Sequence, residues 1–299
     1  MGHDHPPMVT TAYLFSGQGA QVVGMGAFAR EFEPAGKMFR EAGEILGLDL
    51  LKTCLEGPQE TLNRTDLCQP ALLVHGLAAL EWHRSRETLS EPEAAAGLSL
   101  GEYTAHVFAG SITFEDGVSL VAKRGRFMQE ACDATPSGMV AVVGLDRERA
   151  LRAVEGLGDV GVANYNAPGQ IVISGEKKAL EAAVAKCKDL GARRAVPLPV
   201  AGAYHSVVMR PAQEKMRQEL ATVRIARPRI PVYANVNAKP MTEPGEIRAA
   251  LATQVCGSVL WEDTIRGIGA KKYFEFGPGG VLAGLVRKID GNAEVVSLE

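Results

Sequence analysis

Gly97-Leu98-Ser99-Leu100-Gly101 constrains this chain more than any other five residues. An apolar, alanine-rich run over residues 93–98 leads into it, and a helical pattern over residues 101–110 leads out. A serine between two glycines at such a junction reads as a sharp strand-to-helix turn. The backbone is too crowded there for side chains on either flank, and the serine hydroxyl is left exposed. The helix that follows supplies free N–H groups and a positive dipole end, which suit a developing oxyanion. The pattern is short, and a glycine-flanked turn without chemistry has the same spelling. Its meaning depends on what the rest of the chain brings to it.

Residues 9–15 form an apolar, β-branched and aromatic run that stops at Ser16-Gly17-Gln18-Gly19, a strand entering a tight loop. Helical patterns cover residues 28–46, 69–84 and 114–130, the second with Leu72, Leu73, Leu77 and Leu80 at helical spacing. The character changes near Asp133. Strand-like runs at 139–145, 160–164, 170–174 and 194–200 alternate with helical patterns at 147–155 and 177–190, and residues 164–169 read as a loop. The resulting β-α-β-β-α-β order is that of the ferredoxin-like split unit. Apolar runs return at 231–234 and 273–276, and Gly277-Pro278-Gly279-Gly280 is predicted to end a strand and start a helix. The expected fold class is α/β. A large body with a parallel sheet spans residues 9–132 plus 202–299, and a small inserted α+β unit spans 133–201. Residues 1–8, with His3 and His5, are expected to be a disordered leader or tag.

Composition narrows the function classes. At 299 residues, 46% hydrophobic and 22% charged, the chain can bury a large core and does not resemble a disordered protein. A formal net charge of -3 argues against a nucleic-acid partner. No stretch approaches the roughly 18 apolar residues of a membrane span. The cysteines (Cys54, Cys68, Cys132, Cys187, Cys256) are odd in number, far apart and without a CxxC pair, which excludes zinc-ribbon and thioredoxin readings. A cytoplasmic protein with reduced, buried thiols and no metal site is the expectation.

A serine nucleophile needs a general base. Of the six histidines, His3 and His5 lie in the leader, and His75, His83 and His106 lie in helical patterns. His205, in Val200-Ala201-Gly202-Ala203-Tyr204-His205-Ser206, follows a strand where the chain returns from the insert, which makes it the candidate base. On its own, Arg124 between Lys123 and Arg126 reads as part of a solvated basic face. Gln18 and Asn166 read as turn residues.

Several separated segments together resemble one family. Phe15-Ser16-Gly17-Gln18-Gly19-Ala20-Gln21, Gly97-Leu98-Ser99-Leu100-Gly101-Glu102-Tyr103, Lys123-Arg124-Gly125, Gly202-Ala203-Tyr204-His205-Ser206 and Phe276-Gly277-Pro278-Gly279 resemble the malonyl-CoA:acyl-carrier-protein transacylases of fatty-acid synthesis. They also resemble the acyltransferases of polyketide synthases. The resemblance runs from about Thr11 to the C-terminus. It implies an α/β-hydrolase-like body with an inserted ferredoxin-like subdomain. It also implies that Ser99 is the acyl-carrying nucleophile and His205 the base, with the backbone N–H groups of Gln18 and Leu100 as the oxyanion hole. By the same resemblance Arg124 receives the malonate carboxylate, whose two oxygens suit its planar fork. The main-chain carbonyl of Gln254 orients His205, Asn166 faces the cleft, and Tyr204 favours malonyl over methylmalonyl. One position departs from the pattern: the family usually has histidine where this chain has Leu98.

The implied reaction moves a malonyl group from malonyl-CoA to the phosphopantetheine thiol of an acyl carrier protein, in fatty-acid or polyketide synthesis. Coenzyme A enters as the thioester substrate, no bound cofactor is needed, and a monomer is expected. Two alternatives stand beside it. A serine hydrolase or thioesterase of the α/β type would share Ser99 and His205 but needs an acid between them, for which Asp133 and Asp146 are the candidates. A catalytically silent docking subunit would rest on Leu98 alone.

Overall fold

Residues 9–299 are described by a computed structural model, and the leader expected over 1–8 lies outside them. Among the described residues the strands are β1 (Thr11–Phe15), β2 (Ala94–Gly97), β3 (Ser137–Val143), β4 (Val160–Ala167), β5 (Gln170–Glu176), β6 (Arg194–Pro197), β7 (Val232–Tyr233), β8 (Pro240–Met241), β9 (Lys272–Phe276) and β10 (Glu294–Leu298). The helices are α1 (Glu33–Leu46), α2 (Leu50–Glu56), α3 (Gln59–Leu62), α4 (Thr65–Arg84), α5 (Leu100–Phe108), α6 (Phe114–Ala134), α7 (Arg147–Val154), α8 (Lys177–Asp189), α9 (Arg210–Thr222), α10 (Pro244–Gln254), α11 (Trp261–Ile268) and α12 (Val281–Ile289).

Two sheets result. The larger runs β10-β9-β1-β2-β7-β8 and is parallel except for β8. The smaller runs β4-β5-β3-β6 and is antiparallel throughout. Every residue of β1 and β2 is buried, as expected for strands covered on both faces of a parallel sheet. Phe15 pairs with both Gly97 and Phe276, so β1, β2 and β9 end level with one another. The segments that follow them therefore open at the same carboxyl edge of the sheet, where open α/β sheets hold their ligands.

Close backbone packing explains the glycines at this edge. A Cβ on Gly97 would sit 2.0 Å from the Gly101 carbonyl, and one on Gly101 would sit 2.1 Å from the Phe15 carbonyl oxygen. The Ser99 turn is thus pressed onto the end of β1.

Several expectations shift in detail. The pattern over 28–46 splits into a 3-10 turn, Ala27–Arg30, and α1. The pattern over 69–84 starts earlier, at Thr65, which leaves Pro70 in the second turn of α4. Residues 164–169 are not a loop. β4 continues to Ala167 through two register shifts, and the reversal is confined to Pro168-Gly169, with Gly169 at φ 68. Asn166 is therefore a strand residue. Helix α9 was legible but is absent from the expectation: its buried Ala212, Met216 and Leu220 recur every four residues.

Candidate active site

Ser99 is the residue between β2 and α5, and its backbone carries the strain of that turn at φ 54, ψ -102. Holding a non-glycine residue there costs on the order of 1–3 kcal/mol, so the surroundings must over-determine it. Asn235 does this. Its Oδ1 accepts from the Ser99 N–H at 2.6 Å, and its Nδ2 donates to the Gly97 carbonyl at 2.8 Å. One carboxamide clamps both sides of the turn from the end of β7.

His205 is also held at positive φ, 56. The segment before it crosses the end of α6 so closely that a Cβ on Gly202 would meet Cys132 Sγ at 2.5 Å. His205 Nδ1 faces two carbonyl oxygens, Gln254 at 2.9 Å and Gly257 at 3.1 Å. Both can only accept, so Nδ1 carries the proton and Nε2 presents a lone pair. That lone pair meets Ser99 Oγ at 2.7 Å. Burial, with the nearby Arg124 charge second, lowers the His205 pKa to about 4, which keeps the ring neutral near pH 7.

No carboxylate takes part in orienting His205 among the described residues. Asp146 caps α7 by accepting from Arg149 N, and Asp133 accepts from Gln129. Neither proposed acid of the hydrolase alternative is a hydrogen-bond partner of the ring.

Arg124 is 1% exposed, which overturns its reading as a solvated basic face. The reason lies next to it: a Cβ on Gly125 would sit 2.3 Å from the Thr65 carbonyl oxygen, so its absence lets α6 lie against the start of α4. Arg124 Nη2 donates to Ser99 Oγ at 3.0 Å and to Gln254 Oε1 at 2.9 Å, and Nη1 donates to Gln69 Oε1 at 2.8 Å. Its guanidinium also lies 5.5 Å from the Tyr103 ring centroid. No carboxylate forms an ion pair with it, and Nε has no partner among the described residues.

The remaining expected residues gather at the same place. A cleft of about 630 Å³ between the two sheets is lined by Gln18, Leu98, Ser99, Asn166, Tyr204 and His205, among others. The backbone N–H groups of Gln18 and Leu100 donate to no acceptor among the described residues, and Leu100 opens α5. Asn166 reaches the cleft from β4, and its Oδ1 has no partner among the described residues. Tyr204 O–H and Thr65 Oγ1 are 2.8 Å apart. Leu98 lines the cleft beside Ser99 and packs against a cluster that includes Leu14 and Val259.

Three residues of the site were not singled out from sequence: Gln69, Glu102 and Asn235. Glu102 is fully buried and accepts on Oε2 from Gln254 Nε2 at 2.7 Å and from Asn235 N at 3.0 Å. A signal existed for each. Glu102 lies inside the quoted serine motif, Asn235 is polar two residues after a buried strand, and Gln69 is polar in a helix buried almost all round.

The sequence profile described as acyl transferase domain matches residues 12–273. The Bacillus subtilis protein named malonyl CoA-acyl carrier protein transacylase is 41% identical, across 97% of this chain and 94% of its own length. The chain belongs to that family. A crystal structure of an acyl carrier protein S-malonyltransferase from Vibrio cholerae superposes with a TM-score of 0.93 at 39% identity, covering 97% of each chain. Another structure of this family similar to the chain is a type II polyketide-synthase acyl-carrier protein in complex with its malonyl-transacylase. It has a TM-score of 0.93 and 38% identity, over 97% of this chain and 96% of that one. The transacylase family thus accounts for nearly the full length of the chain.

Proposed function

We propose that this chain transfers a malonyl group from malonyl-CoA to the phosphopantetheine thiol of an acyl carrier protein, through a malonyl ester on Ser99. The observation that carries the reading is the pair of contacts on one hydroxyl: His205 Nε2 at 2.7 Å and Arg124 Nη2 at 3.0 Å from Ser99 Oγ. A neutral base and a cation that suits a carboxylate converge on the nucleophile.

The steps follow from these contacts. His205 Nε2 takes the Ser99 proton as Oγ attacks the thioester carbonyl. The oxyanion is received by the free N–H groups of Gln18 and Leu100. The tetrahedral intermediate collapses, and the coenzyme A sulfur leaves with the proton from His205. The carrier thiol then gives its proton to His205 and attacks the acyl-serine, and Ser99 is released by the reverse sequence. The Gln254 and Gly257 carbonyls hold the histidine tautomer throughout. The acyl carboxylate takes the Arg124 N–H that Ser99 Oγ accepts in its absence, while Gln69 and Gln254 hold the guanidinium in place. Acetyl-CoA brings no such partner for Arg124, a deficit of about 1–3 kcal/mol.

The fold reading deepens in the same way. The βαββαβ order of β3 to β6, with β6-β3-β5-β4 side by side, supports a ferredoxin-like subdomain over 133–201. It is inserted in an α/β-hydrolase-like body over 9–132 plus 202–299. The likeness to an enzyme solved with a polyketide carrier protein supports an acyl carrier protein as the acceptor.

The test is intact-mass analysis after exposure to malonyl-CoA and acetyl-CoA, followed by addition of a holo carrier protein. Wild type should gain one malonyl group and hand it to the carrier, and Ser99→Ala should gain none. Preference of wild type for acetyl-CoA would refute the malonyl reading, and faster loss to water than to the carrier would indicate a hydrolase.

A further inference from the structure

Glu102 is a buried carboxylate to which the mechanism above assigns no work. It sits on α5 two residues beyond Leu100, and its Oε1 has no partner among the described residues. Its Oε2 joins two arms. One is the Asn235 N–H, whose side chain clamps the Ser99 turn. The other is the side chain of Gln254.

The Gln254 arm is directional. A carboxamide has a donor end and an acceptor end, and here the donor end is taken twice, by Glu102 at 2.7 Å and by the Ser99 carbonyl at 2.9 Å. The acceptor end is therefore turned to Arg124 Nη2, 2.9 Å away. The opposite orientation would press the amide hydrogens toward the guanidinium and the amide oxygen toward the carboxylate. Both contacts would be repulsive in a buried site where such contacts count heavily.

We infer that Glu102 is a positioning residue for acyl selection: by fixing which end of the Gln254 carboxamide faces Arg124, it sets the guanidinium in place for the acyl carboxylate. This rests on the malonyl-transfer reading above. Glu102 touches neither nucleophile nor acyl group. It acts through Gln254 on selection and through Asn235 on the rate with every donor.

Three substitutions separate this role from a merely structural one. Glu102→Gln keeps an oxygen that accepts both N–H groups and lacks only the charge. Glu102→Asp keeps the charge but withdraws it by one methylene. Glu102→Ala removes both. The readout is the ratio of kcat/KM for malonyl-CoA to that for acetyl-CoA, with Tm measured in parallel. Asp and Ala should lower the ratio by about tenfold, the loss of one hydrogen bond to a charged group, and Gln should restore it close to wild type. A ratio unchanged in Asp and Ala, with only Tm lowered, would overturn the inference, as would a Gln variant no better than Asp. Should Ala fail to fold, the Asp and Gln pair decides alone. A wild type that prefers acetyl-CoA sinks the functional reading, whereas a malonyl-selective wild type with malonyl-selective variants sinks only this inference.

Discussion

Arg124 Nη2 donates to Ser99 Oγ at 3.0 Å, so the guanidinium and His205 Nε2, 2.7 Å away, meet on one hydroxyl. A carboxylate gripped by this guanidinium has to lie next to the carbonyl under attack. Malonyl, with one methylene between the two groups, meets that requirement. Succinyl, with one more, has to fold back or leave the arginine. In a donor series, kcat/KM should fall from malonyl-CoA to succinyl-CoA by tenfold or more, about 1–3 kcal/mol. Arg124→Ala should lower malonyl transfer and flatten the series. Equal rates with both dicarboxylic donors would show that Arg124 does not set acyl length.

The same arginine acts on His205, the base of the proposed mechanism. Burial first and the Arg124 charge second bring the His205 pKa to about 4, against an ordinary value near 6.5. The base is active when neutral, so the acylation rate should fall on the acid side with a midpoint near pH 4. Removing the charge in Arg124→Ala should move that midpoint upward, part of the way to 6.5, because burial still acts. Glu102, raised to about 7 chiefly by burial, titrates in the same network, so the profile is best recorded in a Glu102→Gln background. Acylation measured by rapid quench across pH 3.5–8 checks this. An acid midpoint near 6.5 in the unsubstituted histidine site contradicts it.

The parts legible in the sequence share a physical character. Ser99, its flanking glycines and the strand and helix around it were readable because a crowded turn admits few residue types. The tandem of strands and helices over residues 137–197 was readable from alternating periodicities. Arg124 was misread from its own neighbours: Lys123 and Arg126 point to a charged face, and only the approach of α4 over Gly125 buries the residue between them. Asn166 was placed in a loop because Asn-Ala-Pro-Gly spells a turn, yet pairing with β5 carries the strand to Ala167. Glu102 and Asn235 were missed for a different reason. Their partners lie 133 or more residues away in the chain, and no local pattern encodes a hydrogen bond of that span.

The close approach of Gly101 to β1 makes a sharp stability prediction. In Gly101→Ala the new methyl would sit 2.1 Å from the Phe15 carbonyl oxygen and 3.0 Å from that of Ser16. Neither is a flexible side chain, so the turn or the strand has to move. The expected loss is about 1–3 kcal/mol or more, with acylation falling further than stability because the displaced segment carries Ser99. Gly284→Ala, which adds a methyl to open space on α12, serves as the control and should leave acylation unchanged and raise stability by up to about 1 kcal/mol. Thermal melts with mass-spectrometric acylation read both effects, and a Gly101→Ala protein as stable as the control would refute the argument.

His75 offers a test of how burial couples to pH. It is 2% exposed on α4, its Nδ1 has no partner among the described residues, and burial alone lowers its pKa to about 4. Between pH 4 and 6.5 the unfolded chain therefore binds a proton that the folded chain refuses, so stability falls as pH drops through this window. His205, also lowered to about 4, and His106, lowered to about 3 by burial, act with the same sign. Glu102, raised to about 7, acts with the opposite sign, since the folded chain keeps a proton there that the unfolded chain has lost above pH 4.5. Glu275, also raised by burial, acts with the same sign as Glu102, and three histidines against these two glutamates leave stability rising with pH from 5 to 6. His75→Leu removes one of the three protons, so the gain in unfolding free energy from pH 5 to pH 6 should shrink by about 1 kcal/mol. Urea titrations at the two pH values measure it directly. A slope identical to that of the unsubstituted protein would mean that His75 is protonated in the folded state, contrary to its burial.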